Sequence, residues 1–203
     1  MTSLLLLTLL LQGDSVVLEN EYVKVTRNGA PCALGRAPEC GDRVIVALGT
    51  LEMPSAGRTH KMSRGDVAVF PAGETYRAPT GGDYVEVTLK PDHPPVKSPP
   101  ELIAPEKNLL LYDGPGFFVF EEKLDPGDTR QRHSHSQRVV IVLNDTRLHQ
   151  WPDGKPEVFK TQVPDKVKFN PPVIHVVKTV GEKPLRNIVI ELKPERRASS
   201  TFR

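Results

Sequence analysis

The chain has 203 residues and a formal net charge of +2, a size for one large domain or two small ones and a charge balance that excludes a polycationic nucleic-acid-binding arm. At 38% hydrophobic and 26% charged residues, it is too apolar to be a disordered chain. Its 20 prolines are about twice the usual share of ~5%; proline breaks helix interiors and central strands alike, so short elements joined by many turns are expected and a helical bundle is not.

From the start of the chain, Leu4 to Leu11 form an apolar run of eight broken only by Thr8. That is far short of the ~20 residues needed to cross a bilayer, and nothing later approaches that length. The run suits the core of a secretory signal ending near Gly13-Asp14-Ser15, within residues 1–15. No Lys or Arg precedes it, so an apolar N-terminal strand or a misassigned start competes with that reading. Export would make the protein periplasmic or secreted; without it the protein is cytoplasmic. Cys32 and Cys40, the two cysteines, are separated by seven residues, a loop that can close as a disulfide in an oxidising compartment. Two buried free thiols are the alternative, and the absence of a CxxC pattern argues against a metal pair.

Apolar residues then alternate or run in short β-branched blocks. Those of the first half are Val16–Val25, Val44–Leu51, Val67–Phe70 and Tyr84–Leu89; those of the second are Phe117–Leu124, Val139–Leu143 and Asn187–Leu192. This is strand periodicity, punctuated by turn chemistry at Gly81-Gly82, Asp113-Gly114-Pro115-Gly116, Pro126-Gly127 and Pro152-Asp153-Gly154. Prolines from Pro94 to Pro105 describe a stiff connector, centred on residues 96–107, with room for one helical turn between Ser98 and Lys107. The halves resemble each other. Asp42-Arg43-Val44-Ile45-Val46-Ala47-Leu48 matches Gln137-Arg138-Val139-Val140-Ile141-Val142-Leu143. Gly65-Asp66-Val67-Ala68-Val69-Phe70-Pro71 matches Asp165-Lys166-Val167-Lys168-Phe169-Asn170-Pro171. Val85-Glu86-Val87-Thr88-Leu89-Lys90-Pro91 matches Ile188-Val189-Ile190-Glu191-Leu192-Lys193-Pro194. Three pairs in the same order, each about 100 residues apart, predict a duplicated unit: residues 16–95 and 108–196, followed by a tail at 197–203.

Four of the six histidines lie in the second unit, and three of them, His133, His135 and His175, fall where a site is expected. On a strand, His133 and His135 project from the same face and can offer imidazole nitrogens to one metal ion. An exposed polar turn beside Arg130, Arg132 and Arg138, or a metal-free pocket for an anion, are the competing readings. Trp151 is expected to cap a hairpin, and His60, His93 and His149 to be solvated. No nucleophile elbow, phosphate loop or dinucleotide fingerprint is present.

On these residues the chain resembles the cupin superfamily. Gly127, five residues, then His133-Ser134-His135 match the first cupin motif. The second motif is represented by Asp165 in place of its Gly, by Pro171, and by His175 one residue early. The first unit keeps Gly65, Pro71 and Gly73 of that motif but has Tyr76 at the His position, and Pro38 and Cys40 fall where the His pair would be. The resemblance implies an all-β protein of two tandem jelly-roll barrels, the first degenerate, packed so that each covers part of the other's sheet edge.

Cupin sites usually add a Glu after the His pair, and here Val139 and Val140 occupy its place. Gln137, by strand parity, is the expected neutral substitute, and a bulge is needed to bring His175 to the site. A neutral shell of His133, His135, His175 and Gln137 suits a divalent first-row metal such as Zn, Fe, Ni or Cu, released as pH falls below the ordinary histidine range near 6.5. Tyr76 and Arg138 are the candidate ligand-pocket residues. The leading function is binding of a metal and a small molecule, with no nucleic acid and no transmembrane segment, in a protein compatible with a homodimer. The alternatives are a metal-dependent dioxygenase, isomerase or epimerase, with Gln137, Glu121 or Glu122 assisting, and a metal-free interaction module of the cell envelope.

Overall fold

The computed structural model describes residues 15–30, 40–55, 58–97 and 108–194. The apolar run at Leu4–Leu11, Cys32 and the segment from Ser98 to Lys107 lie outside them. Among the described residues there is no helix, and so none long and apolar enough to cross a membrane.

The strands of the first half are β1 (Ser15–Glu19), β2 (Val23–Arg27), β3 (Arg43–Ala47), β4 (Leu51–Ser55), β5 (Arg58–Met62), β6 (Val67–Phe70) and β7 (Tyr84–Leu89). Those of the second half are β8 (Asn108–Asp113), β9 (Phe117–Leu124), β10 (Thr129–His135), β11 (Arg138–Val142), β12 (Thr146–Pro152), β13 (Val158–Gln162), β14 (Val167–Asn170), β15 (Val173–Thr179) and β16 (Leu185–Leu192). The block Val16–Val25 is two strands rather than one. Asn20 Oδ1 accepts the backbone N–H groups of Tyr22 and Val23 at 2.8 and 3.0 Å, a side-chain turn that breaks the ladder.

The duplication is visible in the topology. One five-stranded antiparallel sheet has the order β1-β2-β7-β3-β6 and another β8-β9-β16-β11-β14, the same arrangement element for element. Asp165 stands where Gly65 stands in the first half, and both hold positive φ, 64° and 92°. Each donates its N–H to the last residue of the equivalent central strand, Asp165 to Val142 O at the end of β11 and Gly65 to Ala47 O at the end of β3, both at 2.9 Å. Aspartate is one of the few residues that tolerates this conformation.

The two five-stranded sheets meet face to face. Val44, Val46, Val85 and Val87 of one pack against Val139, Ile141, Ile188 and Ile190 of the other in the largest core of the chain. Edge-covering was the expected packing; faces meet instead because the central strands are apolar on both sides. β3 and β11 are buried at every residue, one face in this shared core and the other inside their own barrel, which is why they read as continuous apolar runs rather than alternations. Arg64 bridges the halves, its Nη2 donating to Leu143 O at 2.8 Å and to Asp165 Oδ1 at 2.7 Å.

Each half closes with a second sheet, and here they differ. The second half has four strands, β10-β15-β12-β13; the first has only the β4-β5 hairpin among the described residues. Among the described residues, no strand of the first half answers to β10 or β15, which carry the three histidines. In their place Phe70, Tyr76 and Tyr84 fill the first barrel with Ile45, Leu51 and Met53.

Gly127, at φ +84°, has nothing within 4 Å of where a Cβ would stand. Gly127→Ala therefore meets no clash and should cost about 1 kcal/mol of backbone strain alone, read as a lower urea midpoint with an unchanged slope.

Candidate metal centre

β10 does not run straight into the site. Arg130 opposes Val177 and His133 opposes His175, so three residues of β10 span two of β15. This bulge at Gln131 and Arg132 resets the strand's parity: Arg130 and His133, three apart, are both buried while Gln131 and Arg132 are exposed. The expected bulge exists, on β10 rather than on the strand of His175, and it sets His133 directly across from His175.

His133, His135 and His175 are all buried and each offers a ring nitrogen, the three lying within 4.8 Å of one another. His133 Nδ1 lies 2.7 Å from Gln131 O. A carbonyl only accepts, so Nδ1 carries the proton and Nε2 keeps its lone pair. That Nε2 is 3.1 Å from Nε2 of His175. His135 Nδ1 lies 2.7 Å from Glu191 Oε2; an ionised Glu191 accepts the Nδ1 proton and leaves Nε2 free. Two nitrogens bound at about 2.05 Å to one tetrahedral ion stand about 3.3 Å apart, close to the observed spacing, so the three residues fit a metal.

A carboxylate is present behind the histidines, from a part of the chain that spacing after the His pair did not indicate. Glu191 on β16 also accepts the Ser136 N–H at 2.7 Å, and burial pushes its carboxyl up to about 7 against those hydrogen bonds and Arg138. Such a carboxylate–histidine pair fixes ring orientation and raises ligand basicity. Glu122 on β9 lines the cavity. Burial raises its pKa, but Arg130, His135, Asn187 and Arg138 outweigh that and hold it below the usual carboxylate range. Arg130 Nη1 and Asn187 Nδ2 each donate to it at 2.9 Å. Glu121, one residue away, faces the other side and pairs with Arg186 at 2.6 Å.

The histidines open on a cavity of about 630 Å³ inside the second barrel, lined by His135, His175, Glu122 and Arg138 among others. Arg138 is buried there, its Nη1 donating to Ser136 O and Pro171 O at 3.2 and 3.0 Å. It occupies the expected ligand-pocket position. Two other expectations are corrected. Gln137 does not join the histidines: the chain turns between β10 and β11, strand parity is lost, and Nε2 donates instead to Tyr22 Oη of the first half at 3.3 Å. Tyr76 does not line the cavity beside the histidines. It is packed against Phe70, its ring under the Arg43 guanidinium, with its hydroxyl hydrogen-bonded to Glu86. His149 is not solvated but lies between the Trp151 and Phe159 rings, with centroids 3.8 and 4.0 Å away. Cys40 is disulfide-bonded, and the chain's other cysteine, Cys32, lies outside the described residues.

No protein-family model and no curated protein matches the sequence. Solved structures do. A cupin 2 conserved barrel domain protein from Leptotrichia buccalis aligns over 89% of this chain and 88% of its own at a TM-score of 0.54 and 14% identity. AerE from Microcystis aeruginosa aligns over 86% and 88% at the same score and identity. The chain has the cupin fold. Both alignments span the two halves together, in keeping with the repeated strand order. Within this fold, the histidines sit on two neighbouring strands of the four-stranded sheet, facing the five-stranded one.

Burial, helped by Arg138 and the neighbouring histidines, depresses all three imidazoles, His175 to about 2. Their lone pairs thus stay available below pH 6.5, and metal release is expected further into acid than for ordinary histidines. The metal-free protein responds oppositely. Above pH 6.5 both folded and unfolded chains hold neutral histidines. Below it the unfolded chain takes up protons that the folded one refuses, so stability falls by up to about 1.4 kcal/mol per pH unit for each histidine. Glu191, raised in the folded chain, offsets one of the three between pH 7 and about 4.5. Urea unfolding of chelated protein from pH 7.5 to 5 should show this decline, and metal analysis after dialysis at pH 5.5 should still find the ion.

Proposed function

We propose that the second barrel binds one divalent first-row transition metal through His133, His135 and His175, and a small molecule in the cavity beside it. The reading is carried by the convergence of three buried ring nitrogens, with the opposite nitrogens of His133 and His135 hydrogen-bonded to Gln131 O and Glu191. When bound, the ion supplies Lewis acidity and open coordination positions facing the cavity, and a neutral three-imidazole set suits Zn, Fe, Ni or Cu better than Mg or Ca. The test is elemental analysis of protein purified without a histidine tag: close to one such metal per chain supports it, and less than a tenth overturns it. Glu191→Gln should lower metal affinity about 10- to 100-fold, measured by competition with a chelator.

We take residues 16–95 as the degenerate cupin unit, 96–107 as connector and 108–196 as the binding unit. The disulfide at Cys40 favours an oxidising, extracytoplasmic compartment. Catalysis at the same site is the second reading, favoured by Glu122, whose ionised carboxylate lines the cavity where a base would be needed. Turnover or oxygen consumption that is lost in His133→Ala would promote it.

A further inference from the structure

The wall of the metal-side cavity carries more positive charge than its one carboxylate balances, and we infer from it that the ligand is a small organic anion with an apolar body. The inference rests on the second barrel being a ligand site and adds the chemistry of what it takes.

β13 alternates, so that Val158, Lys160 and Gln162 face the cavity while Phe159 faces away, stacked on His149. Lys168 of β14, Lys155 of the β12–β13 hairpin and Arg138 of β11 bring the cationic groups on the wall to four, against one carboxylate, Glu122. That carboxylate is already met from behind by buried Arg130. Glu191, the other acidic group near Arg138, is engaged by His135 and Ser136. Among the described residues Lys155, Lys160 and Lys168 have no carboxylate partner; Lys168 Nζ donates only to the neutral Gln162 Oε1, at 2.9 Å. Both Lys160 and Lys168 are held below the ordinary ammonium range, by burial first and then by neighbouring cations: Arg138 and Lys155 for Lys160, Lys166 and Lys160 for Lys168.

Like charges gathered on a concave, partly dry wall are an unfavourable arrangement until an anion arrives, and its arrival relieves their repulsion. The remaining wall is hydrocarbon, with Val140, Leu148, Val158, Val177, Pro156 and Pro172. A bare inorganic anion would leave that surface wet. An organic acid anion fills it while its carboxylate reaches the lysines, and about 630 Å³ admits a small one.

The experiment is calorimetric titration of metal-loaded protein with benzoate and succinate, with their neutral amides benzamide and succinamide, and with inorganic phosphate, metal content being measured in every sample. At least one acid should bind tenfold or more tighter than its own amide and tighter than phosphate. That binding should weaken at least tenfold in Lys160→Gln and in Lys168→Gln with metal content unchanged, and return in Lys160→Arg, which separates loss of charge from loss of fold. If neither acid is preferred to its amide, or the glutamine variants bind as the parent does, the inference is overturned, and retained metal leaves the metal site standing. If phosphate binds as tightly as the acids, the apolar body is overturned. Acid binding by protein that takes up no metal overturns the metal site and upholds the anion.

Discussion

Replacing His133 and His135 together with Ala should abolish metal uptake, from close to one ion per chain to background. The two residues contribute two of the three converging nitrogens, and the one that remains, His175, is a lone imidazole with no carboxylate behind it among the described residues. A parallel thermodynamic readout follows from linkage. A metal that binds the folded chain and not the unfolded one stabilises it by about 2.7 kcal/mol at a free concentration one hundred times its Kd. For a chain of this size that is a rise in Tm of roughly 5–10 °C. The parent should show the rise on adding metal and lose it with chelator; the variant should show neither. Truncating two buried side chains also costs stability by itself, so the comparison is between each protein with and without metal. If the double variant keeps its metal, the ion is bound elsewhere and the reading of this barrel fails.

How much of this was legible in advance depended on whether parity survived. His133 and His135 are i and i+2 on one strand, and their shared face needed no further information. Extending the same parity to Gln137 failed, because β10 ends at His135 and β11 begins at Arg138; the intervening turn sends the amide toward Tyr22. The bulge that lets Arg130 and His133 both face inward lies at Gln131 and Arg132, ordinary residues with no glycine to mark it. Glu191 had a visible signal: it is a lone carboxylate inside a buried apolar strand. A charge in such a place must be paired, and it falls opposite Arg138 in the ladder where the first half sets Thr88 opposite Arg43. β5 and β13 carry mostly exposed residues, so no core imposes a period on them and they were not foreseen. The proline connector from Ser98 onward and the signal-like N-terminus fall outside the described residues.

The first barrel explains why its sequence kept the second motif's turn residues but not its histidine. Gly65 and Gly73 hold positive φ, so the backbone still needs them to close its turns. The interior has no such demand. With no ligand to hold, a cavity there would cost stability, and the described interior is filled instead: Tyr84, which opposes Ala47, stands where Asn187, opposing Val142, lines the cavity of the second barrel. The first half thus serves the site indirectly, supplying the apolar sheet against which β11 and β16 are buried.

Arg130→Met should be the most destabilising single substitution near the site, costing about 3–5 kcal/mol at pH 7.5, because it strips the partner from a buried carboxylate. The Arg130 side chain is 1% exposed and that of Glu122 12%. Burial is the largest influence on Glu122, and Arg130 the largest of those opposing it. In the parent the balance leaves the carboxyl below 4.5, so Glu122 contributes stability above that pH and loses it as acid protonates the folded state. Without Arg130 the balance reverses: the folded pKa rises above the unfolded one, the charge becomes a penalty at neutral pH, and acidification relieves it. The gap in urea midpoint between parent and variant should therefore narrow from pH 7.5 to 4. Adding Glu122→Gln should recover most of the loss at pH 7.5, since a neutral amide has no charge to desolvate and can still accept from Asn187 Nδ2. Equal loss in the single and double variants would mean that packing around the Arg130 stem, and not its pairing with Glu122, holds this corner of the barrel together.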